Sequence, residues 1–163
     1  MICLGADSLF YLIYMGTDLK GKAKKNFASA LRQLSKRLPG AVCTDPASLE
    51  RASLDNLRIA SLPQAVIRVP TAEAVGLVLE YANRFTIPIT ARGGGSSATG
   101  SAVPIKGGWV LDLSALQSIQ LNPFSKIVSV GPGVRTETLQ KKLASKALFY
   151  PPDPSSKKYS TIG

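Results

Sequence analysis

A chain of 163 residues has the length of a single domain, and its 45% hydrophobic content is enough for a core. Twenty Lys and Arg against ten Asp and Glu leave a net charge of +10, a balance that suits an anionic ligand, nucleic acid or an acidic partner. Histidine is absent, which excludes imidazole acid–base chemistry, and the two distant cysteines, Cys3 and Cys43, exclude a zinc site and fit a reducing compartment.

The opening stretch, MICLGADSLFYLIYMG, contains one apolar run, Leu9 to Met15. A bilayer span needs about 20 such residues, and Asp7 ahead of the run argues against a secretory signal. The stretch is expected to be a packed or frayed extension. No later segment has transmembrane length. DLKGKAKKNFASALRQLSKRL follows, with Phe27, Leu31, Leu34 and Leu38 on one helical face. Lys20, Lys22, Lys24, Lys25, Arg32, Lys36 and Arg37 give that helix a basic, solvated side. A nucleic-acid or membrane-surface role for the basic side is the alternative.

Residues 38–63 are turn-rich and read as a lead-in with short elements. AVIRVP then predicts a strand ending at Pro70, and Thr71 can cap a helix with Glu73 in its first turn. Val75, Leu79 and Ala82 are its expected buried stripe. IPIT, residues 87–90, predicts a second strand. A strand from Trp109 to Leu113 comes next, and a second small sheet is expected to begin near Trp109. SIQLN and KIVSVGPGV read as two short strands joined by a turn at NPFS. Thr136 can cap a helix running to about Ala147, with Leu139 and Leu143 inward and Lys141, Lys142 and Lys146 outward. LFYPPDPSSKKYSTIG reads as a proline-broken loop.

TARGGGSSATG, residues 90–100, demands a separate account. A Walker A loop needs a lysine where Ser101 stands, so that reading fails. Gly93, Gly95 and Ala98 match the letters of a dinucleotide fingerprint, with Asp112 about 20 residues beyond Gly93. That fingerprint must open a helix, and TGSAVPIKGG cannot form one. Helix over residues 99–108 would revive it. A third reading keeps the anion chemistry without the helix. Successive backbone N–H groups can form a concave nest, with Ser96, Ser97 and Thr99 adding hydroxyls. Arg92 offers a positive charge there or pairs with an acid elsewhere. A surface linker and tight packing without ligand remain as alternatives.

PQAVIRVPTAEAVGLVLEYANRFTIPITARGGGSSATGSAVP resembles the start of the FAD-binding domain of the vanillyl-alcohol oxidase and p-cresol methylhydroxylase superfamily. GWVLDLSAL, VSVGPGV and YPPDPSSKKYSTIG resemble its glycolate oxidase D subunit and D-lactate dehydrogenase branch. The resemblance covers about Leu38 to Gly163. It implies an α+β fold, a strand–helix–strand subdomain plus an incomplete second sheet. Residues 1–37 are then an extension with a basic amphipathic helix, and residues 38–163 an FAD-binding domain that is incomplete at its C-terminal side. The resemblance implies cofactor contacts from Arg92, Gly93, Gly94, Gly95, Ser96, Ser97, Thr99 and Gly100, whose loop wraps the FAD pyrophosphate. It adds Pro152, Asp153, Ser155 and Ser156 beside the flavin, and Thr161 and Gly163 from a second glycine turn. Gly131 to Gly133 shape the fold nearby.

Some relatives carry a histidine at the position of Ser96 for a covalent flavin link, so serine implies non-covalent FAD. The activity implied is flavin-dependent oxidation of a 2-hydroxy acid such as glycolate or D-lactate, with no catalytic acid or base recognisable in this chain. A second chain supplying the rest of the FAD domain and a cap is an expected partner. Nucleic acid is not expected under this reading, although a basic non-enzymatic module remains the alternative. The expected location is the cytoplasm, with peripheral attachment at the inner face of a membrane left open.

Overall fold

The computed structural model describes residues 21–56 and 60–163. The apolar run at Leu9–Met15, Cys3 and Lys20 lie outside the described residues, as do the side chains of residues 21–25. Ten elements follow in order: α1 (Gly21–Arg37), β1 (Val42–Cys43), α2 (Pro46–Ser53), β2 (Ala65–Arg68), α3 (Ala72–Phe85), β3 (Ile89–Arg92), β4 (Trp109–Asp112), β5 (Ile119–Asn122), β6 (Ile127–Val130) and α4 (Thr136–Ala144).

The first sheet has the order β1-β2-β4-β3. β4 runs parallel to both neighbours, with Asp112 level with Arg68 on one side and Arg92 on the other. The antiparallel β1 closes the far edge of β2. Strand pleating sends alternate residues to opposite faces. Ala65 and Ile67 of β2 and Trp109 and Leu111 of β4 meet Phe27, Leu31 and Leu34 of α1 and Ala74, Val78 and Ala82 of α3. Phe27 packs edge-on to the Trp109 indole, with ring centroids 5.9 Å apart. Val66 and Val110 face the other way and bury Leu49 and Ala52 of α2 together with Cys43. Helices on both faces explain why β2 and β4 read as continuous apolar runs.

The mixed helix and sheet content agrees with the α+β expectation. Trp109 does not open a second sheet, however. Its strand is inserted between β2 and β3, and the second sheet is the antiparallel pair β5–β6. The second strand also lies later than IPIT. Thr86 turns left-handed (φ 55°) to end α3, and the Ile87 N–H donates to the Ala82 carbonyl at 2.8 Å. Pro88 has no N–H to give a ladder, so pairing begins at Ile89. The buried stripe of α3 is Ala74, Val78 and Ala82, spaced by four. Val75 lies at its margin, and Leu79 is 40% exposed. Thr71 caps α3 as expected, accepting the Ala74 N–H.

α4 buries Leu139 and Leu143 against the second sheet and exposes Lys141, Lys142 and Lys146. Its cap is Arg135, not Thr136. Thr136 is drawn inside because its N–H donates to the Ser160 carbonyl at 3.0 Å. The helix stops at Ala144, short of Ala147, where a left-handed residue (φ 54°) lets the Leu148 N–H reach back to the Leu143 carbonyl. Among the described residues no helix is long and apolar enough to cross a membrane.

Candidate functional site

β2, β3 and β4 end side by side, the edge at which parallel sheets present their ligand crevices. The glycine stretch leaves the end of β3 and folds over this edge. Residues 99–108 are turns and bends without helix, so the dinucleotide fingerprint gains no support. An open cleft of about 280 Å³ lies under the loop, lined by Arg92, Gly93, Gly94, Gly95, Ser96 and Ser97, with Thr161 and Gly163 on the far wall. Ala91, Ser101, Ala102 and Leu113 complete it. Sequence reasoning missed these four. Ser101 carried a usable signal, as a further hydroxyl in the same stretch, whereas Leu113 at a strand end carried none.

The loop is packed against protein on one side. A Cβ on Gly93 would overlap the Thr161 hydroxyl and come within 2.6 Å of the Gly163 carbonyl oxygen. A Cβ on Gly94 would overlap the Tyr159 carbonyl oxygen. The Gly94 N–H donates to Thr161 Oγ1 at 2.9 Å, and that hydroxyl donates on to the Gly163 carbonyl at 2.9 Å. The Thr161–Gly163 turn is itself held by the glycine–proline–glycine turn, Gly163 N–H to Pro132 O at 3.0 Å and Ile162 N–H to Val134 O at 2.9 Å. Gly95 is left-handed (φ 67°), and a side chain there would strike the Arg92 guanidinium.

Arg92 is half-buried. Its guanidinium donates to the carbonyls of Ala102 (3.2 Å) and Arg51 (3.0 Å), tying both ends of the loop to α2. Burial lowers its basicity, and the nearby carboxylates of Asp112 and Asp55 oppose that loss. Arg92 therefore braces the loop through carbonyls, with the two acids as electrostatic neighbours. Arg92 and Gly93 also line a second open cleft of about 310 Å³ on the α2 side, which holds Arg51 and the Arg68–Asp112 ion pair (3.3 Å).

The remaining donors define what the first cleft can hold. Among the described residues, no hydrogen bond takes up the backbone N–H of Gly95, Ser96, Ser97 or Ala98. Ser97 Oγ meets the hydroxyls of Thr99 (3.0 Å) and Ser101 (2.9 Å) and accepts the Thr99 N–H, so these side chains form a polar shoulder. Gly100 is buried behind it. A run of free N–H groups, a left-handed glycine and hydroxyls suits an oxyanion such as a pyrophosphate.

The proline loop is held by α4. The Pro152 carbonyl and the Asp153 carboxylate accept from Gln140 of α4, at 2.9 and 3.3 Å, and Asp153 pairs with Lys157 at 2.7 Å. The hydrogen bond from Lys157 is the main reason the Asp153 carboxyl sits below its ordinary range. Asp153 borders a shallow groove along α4. Pro152, Asp153, Ser155 and Ser156 do not line the first cleft. The structure thus gathers Arg92–Ser97, Thr161 and Gly163 around one cleft and holds Pro152 and Asp153 against Gln140 of α4.

A family model described as an FAD binding domain matches residues 63–163. The glycolate oxidase subunit GlcD of Bacillus subtilis is 38% identical over 104 residues, covering 63% of this chain and 22% of that protein. A D-lactate dehydrogenase of Archaeoglobus fulgidus is 30% identical over 98 residues, 60% of this chain and 22% of that protein. The fold matches substrate-bound p-cresol methylhydroxylase with a TM-score of 0.68 at 24% identity, covering 77% of this chain and 26% of that one. The chain therefore spans about a fifth of the length of these curated relatives.

Proposed function

The chain belongs to the FAD binding domain family, and from that premise we propose that it is the phosphate-holding part of a flavin-dependent oxidoreductase acting on 2-hydroxy acids. The observation that carries the cofactor assignment is the run of N–H groups from Gly95 to Ala98 that have no partner among the described residues, over a cleft that glycines keep open. In this reading the backbone N–H groups of Gly95, Ser96, Ser97 and Ala98 take the pyrophosphate, Arg92, Gly93 and Gly94 hold the loop in shape around it, Thr99 and Gly100 support the loop, and Thr161 and Gly163 form the opposite wall. Pro152, Asp153, Ser155 and Ser156 contribute a further wall toward the flavin. Residues 38–163 act as the FAD-binding unit, with α1 packed on it.

FAD, when bound, supplies the hydride acceptor for 2-hydroxy-acid oxidation. The chain's part is binding and orientation. Backbone donors neutralise phosphate charge, Arg92 keeps the loop shape, and glycines allow close approach. Ser96 offers no imidazole and these 163 residues contain no histidine, so they give the flavin no histidyl link, and in this reading the cradle holds FAD non-covalently. The substrate class rests on the glycolate oxidase subunit and D-lactate dehydrogenase relatives. The substrate side comes from outside these 163 residues, on a continuation of the polypeptide or on a second one, and the enzyme works in the cytoplasm.

Flavin titration by fluorescence tests the cradle: FAD should bind more tightly than FMN, and equal affinity overturns the pyrophosphate role. Anaerobic mixing tests the chemistry. The chain with FAD alone should not bleach with glycolate or D-lactate. Adding a polypeptide that covers the rest of a relative's length should allow bleaching by a 2-hydroxy acid, and failure with every such acid overturns the substrate class.

A further inference from the structure

The residues just after α2 line neither cleft described above, yet they grip the loop at three points. The Asn56 N–H donates to the Ser97 carbonyl at 2.9 Å, and its side-chain Nδ2 donates to the Ser96 carbonyl at 3.0 Å. Asp55, only 7% exposed, accepts the buried Gly100 N–H at 2.9 Å through Oδ2. This segment is itself fixed, because Leu49 and Ala52 of α2 are packed on Val66, Val110 and Cys43.

A trans peptide points its carbonyl and its N–H in opposite directions, and all described peptide bonds here are trans. Drawing the Ser96 and Ser97 carbonyls onto Asn56 therefore turns the Ser97 and Ala98 N–H groups away from Asn56. The same two bonds keep carbonyl lone pairs from facing an anion on the other side. Resting on the FAD-cradle reading, we propose that Asp55 and Asn56 are positioning residues that set the peptide planes of the Ser96–Gly100 loop for an oxyanion of the pyrophosphate class. Neither residue touches the ligand. Asn56 aims the donors, and Asp55 pins the loop's far end so that the aim is kept.

The test uses the full chain with Asn56→Ala, Asp55→Ala and Asp55→Asn. FAD and riboflavin, which lacks phosphate, are titrated by fluorescence, and exchange of the amides at 96–100 is followed by mass spectrometry. Asn56→Ala and Asp55→Ala should each weaken FAD about three- to tenfold, the effect of one net hydrogen bond, with riboflavin unchanged and faster exchange at 96–100. Asp55→Asn keeps an acceptor for the Gly100 N–H and should stay within about twofold of wild type. FAD affinity and exchange unchanged in both alanine variants overturn the proposal, as does an equal loss for riboflavin. Asn56 is exposed, so its variant decides the matter even if Asp55→Ala fails to fold. A wild-type chain that binds no FAD sinks the cradle reading instead, and faster loop exchange in the variants still supports the clamp.

Discussion

Gly94→Ala probes whether the glycine loop is shaped by the protein around it. Gly94 has an ordinary backbone φ, so alanine is conformationally allowed there, and the whole effect comes from space. The added methyl would overlap the Tyr159 carbonyl oxygen and lie 3.4 Å from Thr161 Cγ2. The opposing segment cannot yield cheaply. It is bonded through the Thr136 N–H to Ser160 O at 3.0 Å and the Ile162 N–H to Val134 O at 2.9 Å. Overpacking of this kind costs about 1–3 kcal/mol, and losing the bond from Gly94 to Thr161 adds about 1. A total of about 2–4 kcal/mol should lower the Tm of a chain this long by roughly 5–15 °C.

The control is Gly76→Ala in α3, where a Cβ meets nothing within 4 Å. Replacing a helical glycine with alanine should gain about 0.5–1 kcal/mol and raise the Tm. Thermal unfolding followed by circular dichroism compares the two. A Gly94→Ala protein that melts with wild type, or above it, would refute the packing of the Tyr159–Gly163 segment on the loop.

Leu34→Ala, at a fully buried position of α1, should cost about 2–5 kcal/mol in denaturant unfolding; a cost near zero would detach α1 from the core. Ala147→Gly relieves a left-handed alanine after α4 and should stabilise by about 1 kcal/mol, seen as a raised denaturant midpoint. Arg92→Lys loses the planar fork that spans the Ala102 and Arg51 carbonyls, so FAD affinity should fall about tenfold, measured by fluorescence titration. The hydrogen bond from Ser48 holds the Asp45 carboxyl below its usual value, so the ionised cap stabilises α2 above the unfolded pKa and that stabilisation is lost as pH falls through the lowered native pKa. Asp45→Asn, also a good cap, should therefore show a flatter stability profile between about pH 5 and 2 by urea unfolding at several pH values.

How far the fold was legible depends on what each element had to signal. α1 carried its burial in its spacing, and Phe27, Leu31 and Leu34 went where the pattern sent them. β2 and β4 were recognisable as strands, but their neighbours were not. A four-residue strand buried on both faces has no alternation to say which strand lies beside it, so the insertion of Trp109–Asp112 between β2 and β3 left no trace in the chain. The left-handed turns after α3 at Thr86 and after α4 at Ala147 were equally silent, because neither has the glycine that would announce it.

The site divides along the same line. Four glycines in eleven residues announce a backbone that something must approach closely, and that much was readable. Composition could not say what approaches. Gly93, Gly94 and Gly95 are required by protein neighbours, namely Thr161, the Tyr159 carbonyl and the Arg92 guanidinium. The donors without a partner among the described residues belong to Gly95, Ser96, Ser97 and Ala98. Close packing and an anion nest are rival explanations of one stretch in sequence, yet the folded chain satisfies both with adjacent and overlapping residues. Packing on one face fixes the backbone so that the other face can present N–H groups without paying for their ordering when a ligand arrives. The residues that aim those groups stand far earlier in the chain, Asn56 40 positions before Ser96 and Asp55 45 before Gly100. Only the folded contact between the end of α2 and the Ser96–Gly100 loop distinguishes them from any other polar pair.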